Sequence, residues 1–218
     1  MLTFQPPIPY LDVSVLGAIV VSDRSQAQLQ LAYPTLPIFR VTCSIDERRF
    51  QYRTLAQKKP VIVANPTKNE KEIRMAYQIL RSRALQGLNP LSNWTWTWIE
   101  NKSEAAVAQH LSEAQLFLSL SLHEGFGLLP LEAMASGCLV VAYGCEPMTE
   151  YLPAAMQVPT GDMAAVVRRV EAWAQNPYPQ QALAERGRDV ARQYSRDREA
   201  NSVLAAWAQL LPRAVSWF

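Results

Sequence analysis

Two carboxylates stand eight positions apart in "HEGFGLLPLEAMASGCLVVAY", residues 123–143. Glu124 precedes a Gly125-Phe126-Gly127 turn, and Glu132 is the only charged side chain between Gly125 and Tyr143. Burying an unpaired carboxylate costs several kcal/mol, so Glu132 needs hydrogen-bond donors. A carboxylate is acceptor-only and has two oxygens, which suits a pair of vicinal hydroxyls such as a ribose diol. The alternative is that Glu132 only complements the positive end of its own helix, worth roughly 0.3–1 kcal/mol. The glycines let backbone N–H groups approach an anion with no Cβ in the way. The free N–H groups of the following helix turn add a positive end, a setting for phosphate. The same Gly-x-Gly turn also serves simply to close a tight bend. Glu124 lies on the phosphate side and repels phosphate, but it can accept from sugar hydroxyls beyond. A nucleotide carrying a second sugar satisfies every feature: ribose at Glu132, diphosphate at the loop, hexose near Glu124.

These residues must be held by regular elements. The run "VSVLGAIVV" (13–21) reads as a buried strand, "SDRS" supplies a helix cap, and a short helix runs to Tyr33. "PIFRVTC" is a second short strand, and a polar connector follows. The pattern restarts at Pro60 with "VIVA" (61–64) and a helix over 70–86 with Ile73, Ala76, Tyr77, Leu80 and Ala84 on one face. "WTWTWI" (94–99) alternates as a strand does. Its tryptophans read as core packing against the covering helices, with a carbohydrate platform as the alternative. Ser103 caps the next helix, and "QLFLSL" (115–120) is a strand. Leu128–Ser136 is a helix stopped by Gly137. "CLVVA" (138–142) and a weak "MQV" (156–158) are further strands, and Asp162 caps another helix. Two amphipathic helices close the chain. One carries Leu183, Val190 and Tyr194; the other carries Val203, Leu204, Trp207 and Leu211. Strands that are apolar on both faces and alternate with helices imply a doubly wound, Rossmann-like α/β domain with a parallel sheet. Such sheets bind ligands at the carboxyl ends of their strands, and Glu124 with its turn follows one.

Composition narrows the function. The 218 residues are 49% hydrophobic and 18% charged, enough to bury a core. The net charge of +2 comes from 21 basic and 19 acidic residues, too balanced to imply nucleic acid. Three cysteines and two histidines lack metal-ligand or disulfide-framework spacing, which argues against a zinc site and for a reducing, cytoplasmic setting; no cofactor is expected. The N-terminus lacks the pattern of a signal peptide, and no apolar run is of spanning character. Peripheral membrane contact stays open, although nothing in the sequence indicates it.

The segment "HEGFGLLPLEAMASGCLVVA" resembles the E-x7-E segment of retaining GT-B glycosyltransferases of the GT4 type. The resemblance implies that Glu124 contacts the donor sugar as the catalytic residue and that Glu132 binds the ribose. It implies that Gly125, Phe126, Gly127 and Leu128 hold the diphosphate. "AYGCEPMTEYL" resembles the glycine loop followed by a glutamate in that family, here Gly144 and Glu150. The reaction implied is hexosyl transfer from a nucleoside-diphosphate sugar with retention, and without a metal, since no Asp-x-Asp pair is present.

The chain departs from that pattern in two places. The family sets an Arg and a Lys after the first strand of this domain, against the diphosphate. Here "VIVANPTKNEKE" offers Lys68, with Asn65 or Thr67 at the Arg position. Lys68 reads as a phosphate contact or as a surface lysine. The second departure is length: residues 1–59 read as a remnant of an acceptor lobe with its connector, and 60–218 as the donor-binding domain, the C-terminal half of a GT-B fold. A separate acceptor lobe or subunit would complete an enzyme. A non-catalytic nucleotide-sugar-binding module, a split-enzyme subunit and, lower, a nucleotide-sugar epimerase are the alternatives. His123 beside the motif reads as a locally bonded loop histidine.

Overall fold

The computed structural model describes Tyr10 and residues 14–215. The chain divides into two compact units, Met1–Cys43 with Arg196–Phe218, and Ser44–Ser195. The polar connector belongs to the larger unit, because Phe50 and Leu55 are buried there. The last helix belongs to the smaller unit.

The smaller unit is a strand–helix–strand: β1 (Ala18–Val20), α1 (Asp23–Ala32) and β2 (Ile38–Arg40). Ser22 caps α1 by accepting from the Ser25 N–H at 3.1 Å, and β1 pairs in parallel with β2, Ala18 opposite Ile38. The final helix, α7 (Arg196–Val215), lies so close that a Cβ on Gly17 would stand 2.8 Å from Leu210 Cδ2. Ala206 and Leu210 are buried, whereas Leu204, Trp207 and Leu211 are exposed. The expected apolar face of α7 is therefore not the one that packs.

The larger unit holds β3 (Lys59–Ala64), α2 (Glu70–Leu85), β4 (Thr95–Trp98), α3 (Glu104–Glu113) and β5 (Ala114–Ser119). It continues with α4 (Leu128–Ala135), β6 (Leu139–Tyr143), β7 (Gln157–Val158), α5 (Met163–Gln175) and α6 (Gln181–Ala191). All five strands are parallel, in the order β4-β3-β5-β6-β7. Every residue of β5 and β6 is buried, as a sheet covered on both faces requires. Helix α2 packs beside α5, while α3, α4 and α6 run together. The caps expected at Ser103 and Asp162 form, and Gly137 stops α4 at φ +84°. Helix α6 buries Ala184, Gly187 and Ala191 rather than Leu183 and Val190. Gly187 meets Met134 of α4, where a Cβ would come within 3.1 Å, so small residues set that helix–helix distance.

From β3 the chain first moves outward to β4, then returns past β3 to form β5 on its other side. The connections leaving β3 and β5 diverge, which opens a crevice at the carboxyl ends of those two strands. This is a topological switch point, where open α/β sheets take their ligands. The tryptophans of β4 are half-buried at the sheet edge instead of in the core. Trp96 and Trp98 stack on each other at 5.7 Å, and Tyr77 of α2 stands edge-on to both. No helix among the described residues is long and apolar enough to cross a membrane.

Candidate functional site

The segment after β3 is a short turn, Pro66–Lys68, capped by Asn65, whose side-chain oxygen accepts from the Thr67 N–H at 3.0 Å and from its hydroxyl at 2.7 Å. Asn65 and Thr67, the residues at the expected Arg position, thus engage each other. Lys68 at the end of this turn reaches across the crevice. Its Nζ lies 3.5 Å from Oε2 of Glu124, which follows β5. The Lys68 side chain is 54% exposed and that of Glu124 only 11%, so the ammonium is the mobile partner. Asn69 ties the two loops by donating to the Leu120 carbonyl at 2.8 Å.

The Gly125-Phe126-Gly127 turn is anchored from behind. Phe126 is buried, 5.4 Å from the Tyr151 ring and 5.5 Å from the Tyr194 ring. The Tyr151 hydroxyl donates to the Gly127 carbonyl. The Phe126 side chain is therefore a structural peg, and only its backbone faces the turn. Gly127 adopts φ +91°, and a Cβ there would meet Met148 Cγ at 2.7 Å. Gly125 differs: a Cβ on it would meet nothing within 4 Å, so its side of the turn opens outward.

Helix α4 starts directly at Leu128, with Gly127 as its cap and no side-chain acceptor for its first turn. Among the described residues, the N–H groups of Gly125, Gly127, Leu128 and Leu129 have no acceptor. Unmet donors at a helix start form an anion site. One turn further in, Glu132 is half-buried with no hydrogen-bond or ion-pair partner among the described residues. Burial pushes its carboxyl up to about 7. It behaves as a desolvated acceptor lacking a donor.

The sequence reading gave no role to Cys145. Cys145, two residues past β6, is buried. Burial pushes its thiol up to about 11, and the nearby Glu124 carboxylate adds to the rise. The glycine loop around Gly144 was the only signal for this position. The N–H of Gly144 donates to Val158, and Glu150 sits in a turn three residues beyond Pro147. Tyr143, at the end of β6, donates its hydroxyl to Glu72 in the first turn of α2. His123 is exposed. Among the described residues no cluster of His, Cys, Asp or Glu is placed to hold a metal ion.

Known proteins resemble this chain in sequence and in fold. Residues 93–190 match the family model "Glycosyl transferases group 1". A GDP-mannose:cellobiosyl-diphosphopolyprenol alpha-mannosyltransferase of Komagataeibacter xylinus is 31% identical over 121 residues, 54% of this chain and 31% of that protein. The chain thus spans about a third of that relative's length. Sucrose-phosphate synthase from Thermosynechococcus elongatus superposes with a TM-score of 0.70 at 16% identity, over 89% of this chain and 58% of that one. TarM of S. aureus, solved with UDP, superposes with a TM-score of 0.69 at 15% identity, over 89% and 43%. The β3–β7 sheet has the fold of the C-terminal, Rossmann-like half of GT-B glycosyltransferases, and residues 93–190, from just before β4 into α6, match the group 1 glycosyl transferases.

Proposed function

We propose that the Ser44–Ser195 unit is the donor-binding half of a retaining glycosyltransferase of the GT4 type, which takes a hexose from a nucleoside-diphosphate sugar. The observation that carries this reading is Glu132, a desolvated carboxylate with no protein donor, one helix turn from a row of unmet N–H groups. A ribose diol supplies the two donors that Glu132 lacks. The diphosphate lies against Gly125, Phe126, Gly127 and Leu128 through their backbone, and draws Lys68 away from Glu124. Glu124, relieved of its ammonium, accepts from the hydroxyls of the donor sugar. Transfer then depends on holding the leaving diphosphate with fixed dipoles and one cation. The match to group 1 transferases and the GDP-mannose-dependent relative support nucleotide-sugar use. The reading assigns no metal or cofactor, in line with the missing Asp-x-Asp pair. Three free cysteines favour a reducing, cytoplasmic compartment. The acceptor would be supplied by a further lobe or subunit.

One observation favours a second reading, binding without transfer. Asn65 and Thr67 are locked in their own turn, which leaves Lys68 as the one cation of the Pro66–Lys68 turn. Calorimetric titration of UDP- and GDP-sugars into the intact chain, repeated with Glu132→Ala, separates the cases. Binding that Glu132→Ala abolishes is expected. Absence of binding by the intact chain would sink both readings, and binding without sugar transfer or donor hydrolysis in the presence of an acceptor lobe would leave the second.

A further inference from the structure

A second cavity, of about 410 Å³, lies along the outer edge of the sheet between α2 and β4. It is independent of the crevice, since its walls come from the later turns of α2 and from the edge strand. Its floor is Leu80 and Leu91, both buried, and its flank is the half-buried indoles of Trp94, Trp96 and Trp98. A volume of this size suits a small amphiphile or one chain of a lipid. Three further features narrow the occupant.

The first is charge. Arg81 is the charged group among the described lining residues, and no carboxylate lines the cavity with it. Its guanidinium donates to the Tyr77 hydroxyl at 2.8 Å and has no acidic partner among the described residues. Arg74 and Arg83, on the same helix, are already paired with Glu70 and Glu171. The lip therefore offers one uncompensated cation to an anion.

The second is the rim. Leu85, a lining residue at the end of α2, is 80% exposed, and Leu88, three residues on, is 56% exposed. A water-borne ligand gains little from apolar side chains outside its pocket, whereas a bilayer surface covers them. The third is the kind of lining. The side-chain acceptors for sugar hydroxyls here are the hydroxyls of Tyr77, Ser92 and Thr95, with no carboxylate or carboxamide among the described lining residues. Tryptophan, tyrosine and arginine beside exposed leucines are the residue types that occupy a membrane–water interface.

We propose that this cavity binds an anionic phospholipid of a membrane surface, with the head-group phosphate on Arg81 and acyl chain against Leu80, Leu91 and the β4 indoles. The test is sedimentation of the full chain with vesicles of phosphatidylcholine containing about a third phosphatidylglycerol, followed also by tryptophan emission. Co-sedimentation with a blue shift is expected, with much weaker binding to pure phosphatidylcholine. Arg81→Gln should cut the apparent affinity at least several-fold, and Leu85→Gln, on an exposed position, should do the same without touching the core. Circular dichroism checks that both remain folded. The proposal is overturned if the chain stays in the supernatant, or if both folded variants bind as the parent does. It is overturned equally if oligosaccharides quench the groove tryptophans while vesicles do not. A dimer in light scattering that Leu85→Gln dissolves would assign the face to a second copy and overturn it too.

Discussion

Lys68 and Glu124 face each other across 3.5 Å from the two loops that diverge at the switch between β3 and β5. With the ammonium half in water, the pair contributes at most about 1 kcal/mol to stability. On the donor-binding reading its use is poise: the ammonium is held beside Glu124 until the diphosphate arrives. Lys68→Met should leave the urea midpoint almost unchanged while weakening nucleotide-sugar binding about tenfold, the equivalent of roughly 1.4 kcal/mol. The salt dependence of binding should shrink with it. An unchanged affinity in calorimetry would return Lys68 to the surface.

Glu132 predicts an unusual pH profile. Its carboxyl rises from an ordinary value of 4.5 to about 7 on burial. Between those values the folded chain keeps a proton that the unfolded chain releases, so stability falls as pH rises through this window and is level above it. The loss amounts to about 2–3 kcal/mol once partial access to water is allowed for. Glu132→Gln should match the parent near pH 4.5 and exceed it by about 1–3 kcal/mol at pH 8. The same variant should lose donor binding, because the ligand diol needs the ionised acceptor. Parent binding should strengthen as pH rises through 7. Urea melts and titrations at the two ends of the window check both statements.

What the sequence disclosed and what it hid have different physical causes. The β5-turn-α4 segment was legible because each local choice agrees: an apolar strand, two glycines, a helix start and a lone carboxylate. The caps at Ser103 and Asp162 were legible for the same reason, since each acts within one helical turn. The faces of α6 and α7 were misread, because periodicity ranks residues by size and polarity. In α6 the packing distance to α4 is set by Gly187 and Ala184, which carry little apolar weight. The meeting of Lys68 with Glu124 is a contact over more than fifty residues, fixed by strand order rather than by any local signal. The tryptophans of β4 were read as core packing, but a strand's place at the edge of a sheet is not written in its own residues.

Ser136 supplies a test of the packing beneath the site. Its hydroxyl is fully buried and has no partner among the described residues, although its N–H caps α4 on the Glu132 carbonyl. An unmet buried hydroxyl costs about 1–3 kcal/mol, and alanine keeps the backbone bond while removing the oxygen. Ser136→Ala should therefore be neutral or stabilising by about 1 kcal/mol, a rise of roughly 2–4 °C in Tm for a chain of this size. Differential scanning calorimetry reads the shift directly. A fall in Tm would mean that the hydroxyl meets an ordered partner, such as a buried water.

The two glycines of the turn separate folding from binding. Gly127 sits at φ +91° against Met148 and the Tyr151 hydroxyl, where an added methyl would stand at 2.7 and 2.9 Å. Gly127→Ala must shift the backbone or displace Tyr151, which holds the turn through the Gly127 carbonyl. It should destabilise the chain by at least about 2 kcal/mol and abolish ligand binding as a consequence. Gly125 has open space where its Cβ would be and does not need the left-handed region. Gly125→Ala should fold with a stability within about 0.5 kcal/mol of the parent. Its methyl projects into the side of the turn from which the diphosphate approaches, so nucleotide affinity should fall tenfold or more while the melt is unchanged. A Gly125→Ala chain that binds as the parent does would move the anion away from this turn, and a chain that unfolds would show that the open space is filled by the protein itself.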